Sequence, residues 1–125
     1  MTEPTYVREY NAIAEVLNKY IEGNAKGSSA ATKLAFHEKA TFFGVNGNEV
    51  VGPEIQKLYD IVDTLESSPN ARTAIARIDV AGTAANARVD SENVAGHRFT
   101  DFFNLLKIDG KWIIVNKVYH THPAT

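Results

Sequence analysis

Residues 99–119 read FTDFFNLLKIDGKWIIVNKVY. Two runs rich in β-branched and aromatic residues flank Asp109-Gly110, and Asp-Gly between such runs predicts a β-hairpin with a two-residue type I′ turn. Counting back from Ile108 opposite Lys111, an unbroken register sorts the side chains onto two faces. One carries Phe99, Asp101, Phe103, Leu105 and Lys107 opposite His120, Val118, Asn116, Ile114 and Trp112. The other carries Arg98, Thr100, Phe102, Asn104 and Leu106 opposite Thr121, Tyr119, Lys117, Val115 and Ile113. Both faces are substantially apolar, so both need a cover. The chain's own helices can cover one, and a second copy of the chain is expected on the other.

Upstream of the hairpin the pattern changes period. Residues 4–23 place Tyr6, Tyr10, Ile13, Ala14, Leu17, Tyr20 and Ile21 at helical spacing. Thr2 suits the N-cap, Glu3 and Pro4 the first turn, and Gly23 and Gly27 the end. Ser28 or Ser29 can cap a short second helix running through Leu34 and Phe36. A strand over residues 40–45 follows. Asn46-Gly47 marks a tight return through Glu49, Val50 and Val51. Gly52-Pro53 opens a third helix with the stripe Ile55, Leu58, Tyr59, Val62 and Leu65, broken over residues 67–70. From Ala71 the chain reads as strands: 73–81, a Gly82-Thr83 turn, 84–89, a polar connection over 90–96, then the hairpin. Helices followed by a long antiparallel meander predict an α+β layout, with helices packed on one face of a curved sheet.

The bulk numbers exclude several classes. At 125 residues the chain is expected to be one domain spanning 1–125. A net charge of -2 leaves no electrostatic footprint for nucleic acid or an anionic membrane. Without cysteine there are neither disulfides nor thiolate metal sites. The start MTEPTYVREY lacks the basic and apolar regions of a signal peptide, and no apolar run is long enough to span a membrane. A cytoplasmic location is expected. No Gly-rich phosphate loop is present, since Gly44 to Gly47 reads as a hairpin turn, and no cofactor is expected.

Two segments, FTDFFNLLKIDGKWIIVNKVY leading into YHTHP and KATFFGVNGNEVVGPEIQKLY, resemble the nuclear transport factor 2-like superfamily. That superfamily has a cone-shaped α+β, cystatin-like fold and includes ketosteroid isomerases, SnoaL-like polyketide cyclases and dehydratases. The resemblance covers nearly the whole chain and is strongest to the subgroup labelled "putative lumazine-binding". It implies a cone with three helices on the concave face of the sheet. In the ketosteroid isomerases a Tyr-Ile-Glu on the first helix supplies an oxyanion donor, and Tyr20-Ile21-Glu22 matches it. The base aspartate of that family follows Ala-Thr on the first strand. Here Ala40-Thr41 is present, but the matching position is Gly44. The second oxyanion donor falls on Phe102, with Asp101 one residue away and on the opposite face unless a bulge intervenes. The resemblance further implies that Phe36, Tyr59, Phe102, Lys117 and Tyr119 line the cone. Trp112, Ile114, Asn116 and Val118 then form the outer face of a homodimer.

The candidate ligand-binding residues are therefore Tyr20, Phe36, Tyr59, Thr100, Phe102, Asn104, Lys117 and Tyr119, an apolar wall with a few convergent polar groups. Lys117 between aromatic rings would be desolvated, which suits proton transfer or an anionic ligand. Alternatively it snorkels to the rim and the tyrosines are packing residues. Tyr20, Lys117, Asp101 and His120 are the candidate catalytic groups, Asp101 with His120 forming an acid/base pair if a bulge turns them inward, or a polar set at the dimer interface if not. His97, His120 and His122 share one sheet end in the unbroken register and are the candidate metal ligands, although no resident metal is expected. The leading expectation is binding of a small amphipathic or aromatic molecule in the cone. An isomerase, cyclase or dehydratase acting by proton transfer is the alternative, and a ligand-free dimeric interaction module with a filled cone is the second.

Overall fold

The computed structural model describes residues 5–123. Three helices, α1 (Tyr6–Lys26), α2 (Ser29–Lys33) and α3 (Ile55–Asp63), pack on one face of a six-stranded sheet. The strands are β1 (Phe36–Asn46), β2 (Glu49–Val51), β3 (Arg72–Ala81), β4 (Ala84–Val94), β5 (His97–Ile108) and β6 (Lys111–Thr121), in the order β2-β1-β6-β5-β4-β3. All neighbours are antiparallel except β1 and β6. This is the α+β layout expected from the sequence.

The helix caps follow side-chain chemistry. Thr5, not Thr2, caps α1, its hydroxyl accepting from the Arg8 amide at 3.3 Å; Thr2, Glu3 and Pro4 lie outside the described residues. The helix passes through Gly23, where a Cβ would collide with Thr32 of α2, and ends at Gly27 with φ 66°. Ile13, Leu17 and Tyr20 of α1 and Ile55, Leu58, Tyr59 and Val62 of α3 fill the core above the sheet. The Tyr6 hydroxyl donates to the Ile78 carbonyl at 2.7 Å and ties the start of α1 to β3.

Three boundaries differ from the sequence reading. β1 begins at Phe36, so α2 is confined to five residues. The β1–β2 loop is Gly47-Asn48, with Asn46 paired to Glu49 and Gly47 at φ 63°. β4 continues to Val94 through a register shift that includes Asn93 at φ 59°, and Ala95-Gly96 makes the return, both at positive φ. The expected polar connection over 90–96 is thus mostly strand.

The hairpin decides the rest. Asp109 and Gly110 have φ 51° and 78°, the type I′ sign pattern, and Ile108 faces Lys111. The register runs as counted through Leu105 opposite Ile114. There β6 carries one extra residue, Val115, and Asn104 faces Asn116. This bulge exchanges the faces of β6 for the remainder of the strand. Its partner β1 is irregular at the same level, since five residue steps from Phe36 to Thr41 answer two from Ile114 to Asn116.

One expectation about faces is corrected. Trp112 and Ile114 are buried beneath the helices, not on the outer face. Glu9 of α1 explains part of it: its carboxylate accepts from Trp112 Nε1 at 2.6 Å and from Lys107 Nζ at 2.9 Å. Asn116 and Val118, beyond the bulge, do lie on the outer face. There an amide ladder crosses five strands: Arg77 donates to Asn86, Asn86 to Asn104, Asn104 to Asn116 and Asn116 to Thr41, at 2.9–3.2 Å. Beside it runs an apolar row of cross-strand partners, Phe43, Val118 and Phe102, ending in the Arg88 guanidinium 5.7 Å from the Phe102 ring centre.

Candidate functional site

With the faces of β6 exchanged, Lys117 and Tyr119 join Asp101 and Phe103 on the concave side. Asp101 and Lys117 are 3 % and 4 % exposed, a buried charge pair with Asp101 Oδ1 3.6 Å from Lys117 Nζ. The Tyr20 hydroxyl donates to Asp101 Oδ2 at 3.4 Å and accepts from Asn24 Nδ2 at 3.2 Å. Lys117 Nζ lies 5.0 Å from the Tyr20 ring centre and 4.8 Å from that of Tyr119. The Tyr119 ring stacks on Phe42 and occupies the space that a Cβ at Gly44 would need. Glycine at position 44 is therefore what lets Tyr119 lie flat against the strand.

These groups line a cavity of about 290 Å³, closed on the helix side by Leu58 and Val62 and on the sheet side by Phe42. That is close to the lower end of ordinary small-molecule sites, at roughly 300 Å³.

Burial dominates the electrostatics. It pushes the Asp101 carboxyl above its ordinary value against the pull of Lys117 and the Tyr20 hydroxyl. Burial likewise lowers the Lys117 ammonium, with Asp101 opposing the shift. The Tyr20 hydroxyl is held well above its ordinary value by burial and then by Asp101, and Tyr119 is raised for the same reasons. The proton affinities of carboxyl and amine are thereby shifted toward each other. The two tyrosine faces add a cation–π attraction that favours the ammonium and hence the ion-paired form. Contacts of 3.4 and 3.6 Å are long for charge-assisted hydrogen bonds.

Of the residues singled out in the sequence as candidate site residues, Tyr20, Asp101, Lys117 and Tyr119 meet here, and His97 lines the same cavity. The others lie elsewhere. Phe36 and Tyr59 are core residues touching edge to face at 6.2 Å, and they line a separate opening of about 570 Å³ beside β1. Thr100, Phe102 and Asn104 sit on the outer face because β5 alternates without a break. Thr100 donates to Asp90 Oδ1 at 2.7 Å and contacts His122 Nε2 at 2.9 Å, Phe102 is 38 % exposed, and Asn104 belongs to the amide ladder. His120 pairs with Thr100 across that outer face, so it cannot orient with Asp101. The one-residue shift also separates the histidines: His97 lines the cavity, whereas His120 and His122 meet edge to face on the other side with ring centres 4.8 Å apart. Among the described residues no group of three His, Asp or Glu side chains could hold a metal ion. Asn24 was missed. Its signal was in the helix pattern, four residues after Tyr20 and so on the same face.

Comparison with known proteins agrees with this architecture. The family described as "Putative lumazine-binding" matches residues 8–120. The chain is 37% identical over 119 residues to "Aldolase FrzH" of Cladobotryum sp, covering 92% of this chain and 93% of that one. A crystal structure of an NTF2-like protein from Shewanella baltica OS155 superimposes with a TM-score of 0.95 at 54% identity, covering 98% of this chain and 100% of the other. A second, from Methylobacillus flagellatus KT, gives 0.90 at 42% identity, over 98% and 99% of the two chains. Both were described as of unknown function. With matches of this extent, the chain belongs to the family described as "Putative lumazine-binding" and has the NTF2-like fold.

Proposed function

We propose that the cavity binds a small, partly apolar carbonyl compound and moves a proton on the carbon next to the carbonyl. The observation that carries this reading is the meeting of Asp101 with both Tyr20 and Lys117 in one buried cavity. The Tyr20 hydroxyl and the Lys117 ammonium turn from Asp101 to hold the carbonyl oxygen. The freed Asp101 carboxylate takes the α-proton, the C–H electron pair becomes the carbon–carbon double bond, and the carbonyl π pair moves onto oxygen. The enolate is stabilised by the two donors in a site of low dielectric. In a β,γ-unsaturated compound, return of the proton to the γ-carbon gives an isomerisation. Attack of the enolate α-carbon on an aldehyde moves the aldehyde π pair onto its oxygen, which takes the proton held by Asp101, and gives an aldol product. A relative bearing the name aldolase supports this reading, because aldol chemistry passes through the same enolate. The base position of the ketosteroid isomerases is Gly44 here, so the base in this reading is Asp101 on a different strand.

The test is exchange of α-protons of benzylacetone and other simple ketones in deuterium oxide, followed by proton NMR. Wild type accelerates exchange, and Asp101→Asn loses roughly 10²–10⁴-fold of it. Equal exchange with Asp101→Asn rejects the base assignment. Binding without any exchange leaves the site a receptor, the reading first drawn from the sequence.

We further propose that a second copy of the chain covers the outer face. The support is the half-exposed row Phe43, Val118 and Phe102 beside a polar ladder, a surface that can match itself across a two-fold axis. Sedimentation at micromolar concentration should give a dimer and Val118→Glu a monomer. A monomeric wild type ends the idea.

A further inference from the structure

The irregular start of β1 opens a second recess, separate from the cone. Between Phe36 and Thr41 the strand carries more residues than β6 can pair, so the stretch between them bows off the sheet. The chain entering α3 is fastened to the end of that bow, where the Phe42 amide donates to the Pro53 carbonyl at 3.0 Å. The bow, the start of α3 and the end of α2 border the opening of about 570 Å³, a volume within the range of small-molecule sites. Phe36, Ala40, Pro53 and Ile55 give it apolar walls.

Tyr59 supplies the polar point. It is 5 % exposed, and its hydroxyl has no hydrogen-bond partner among the described residues. That hydroxyl is not walled in, because Asn24 Oδ1 is the only unpaired side-chain polar atom without accessible surface among the described residues. It therefore reaches a surface, and Tyr59 borders the opening beside β1 and not the cone cavity. The ring is held on two sides, edge to face with Phe36 and beneath the Lys33 ammonium, which stands 5.8 Å from the ring centre. Burial raises the hydroxyl above its ordinary value, so it keeps its proton and donates. A cation over a ring face keeps N–H groups free for a further acceptor, and among the described residues no carboxylate pairs with Lys33. Glu54 in the lining is already paired with Lys57 at 3.0 Å. That leaves two ammonium groups, Lys33 and Lys39, against one free carboxylate, Glu38.

A hydroxyl donor in an apolar recess with spare ammonium groups in its lining suits a negatively charged acceptor on an apolar body. We propose that this opening binds a small aryl or alkyl carboxylate, whose carboxylate accepts from the Tyr59 hydroxyl and the Lys33 ammonium while its body lies against Phe36 and Ile55. None of the residues lining the opening lines the cone cavity, so the two sites can be tested apart.

The probes are 3-phenylpropanoate and 3-phenylpropan-1-ol, which share a body and differ in the carboxylate. Isothermal titration compares wild type, Tyr59→Phe and Lys33→Gln, and backbone amide NMR shifts locate the ligand. Tyr59→Phe removes a hydroxyl without a partner and should unfold at the wild-type urea midpoint. Wild type binds the acid about tenfold more tightly than the alcohol, with the largest shifts at Ile55 and Gln56. Tyr59→Phe weakens the acid about tenfold and Lys33→Gln about threefold, and Lys33→Gln leaves the alcohol within about twofold of wild type. Absence of binding, equal affinity for acid and alcohol, or unchanged binding of the acid in Tyr59→Phe overturns the assignment and leaves the carbonyl reading standing. Shifts centred on Lys117 and Tyr119 overturn it too, because the acid would then occupy the cone. A lower urea midpoint in Tyr59→Phe also overturns it, since the hydroxyl would already serve the fold.

Discussion

The two halves of the β5–β6 hairpin differ in what holds them. The turn half, from Leu105 to Ile114, keeps the register dictated by Asp109-Gly110 and buries Leu105, Trp112 and Ile114 in an apolar core. The open half has the same strand neighbours but a shifted register, and it buries an aspartate and a lysine where the turn half buries leucine and isoleucine. One residue, Val115, separates the two regimes. Through it a strand that begins as packing ends as a binding wall, and the inward charges belong to the half where α1 and α3 leave a cavity instead of closing on the sheet.

Inserting one alanine between Asn116 and Lys117 tests that division most severely. Alternation beyond the insertion would point Lys117 and Tyr119 outward and draw Val118 and His120 into the concave face. The expected loss exceeds the roughly 4–5 kcal/mol that marks exceptional single changes, read as collapse of the urea unfolding transition. Deleting Val115 instead leaves Asn116 outward and Lys117 inward, as alternation from Ile114 requires, and should cost far less. An insertion variant that still unfolds cooperatively at the wild-type midpoint would mean that the facing of the open half is incidental.

The bulge is also where the sequence stopped being legible. Both faces of residues 112–118 are apolar enough that alternation does not distinguish a break, and the irregularity answering it lies in β1, some 75 positions away at the Thr41–Asn116 contact. The turn, the three helices and the strand order along the chain could be read because each rests on local periodicity or turn chemistry, and the family could be read from the resemblance of two long segments. The outward positions of Thr100, Phe102 and Asn104 could not, since they depend on which face of β5 meets the helices. Asp101 was visible only as a residue that a bulge would turn inward. In the structure the bulge lies on the partner strand, and Asp101 faces the core because it shares its face of β5 with Phe103 and Leu105.

Next in size is the charge pair of the open half. Lys117→Met leaves the Asp101 carboxyl buried without its counter-charge, at an expected cost of about 3 kcal/mol near neutral pH. The sign of its pH dependence follows from Asp101. Burial already raises this carboxyl above its ordinary value, and the ammonium that opposes the shift is gone. Between the ordinary and the raised value the folded state then holds more protons than the unfolded state. Stability therefore falls as pH rises through that window and recovers on acidification below the ordinary value. Urea unfolding in mildly acidic and in alkaline buffer measures it. The double variant Asp101→Leu with Lys117→Met should recover the loss, because a buried ion pair adds little over an apolar replacement. A pH-independent loss in Lys117→Met would place Asp101 in contact with water.

The smallest effect tests the other half. Gly110 has φ 78°, and nothing lies within 4 Å of where a Cβ would stand, so Gly110→Ala meets no clash. Its cost is conformational alone, about 1–2 kcal/mol for an L-residue held at positive φ, and it should appear in full as a lower urea midpoint. Asp109→Ala should cost less, because aspartate already stands at φ 51° and carries part of that strain in the wild type. The turn lies beyond Lys107 and Trp112, both fastened to Glu9 of α1, so loosening it should leave the cavity as it is. Ligand affinity in Gly110→Ala should therefore match wild type even as stability drops. A parallel loss of affinity would show that the bulge transmits strain from the turn to Lys117, and that the two halves of the hairpin are one unit after all.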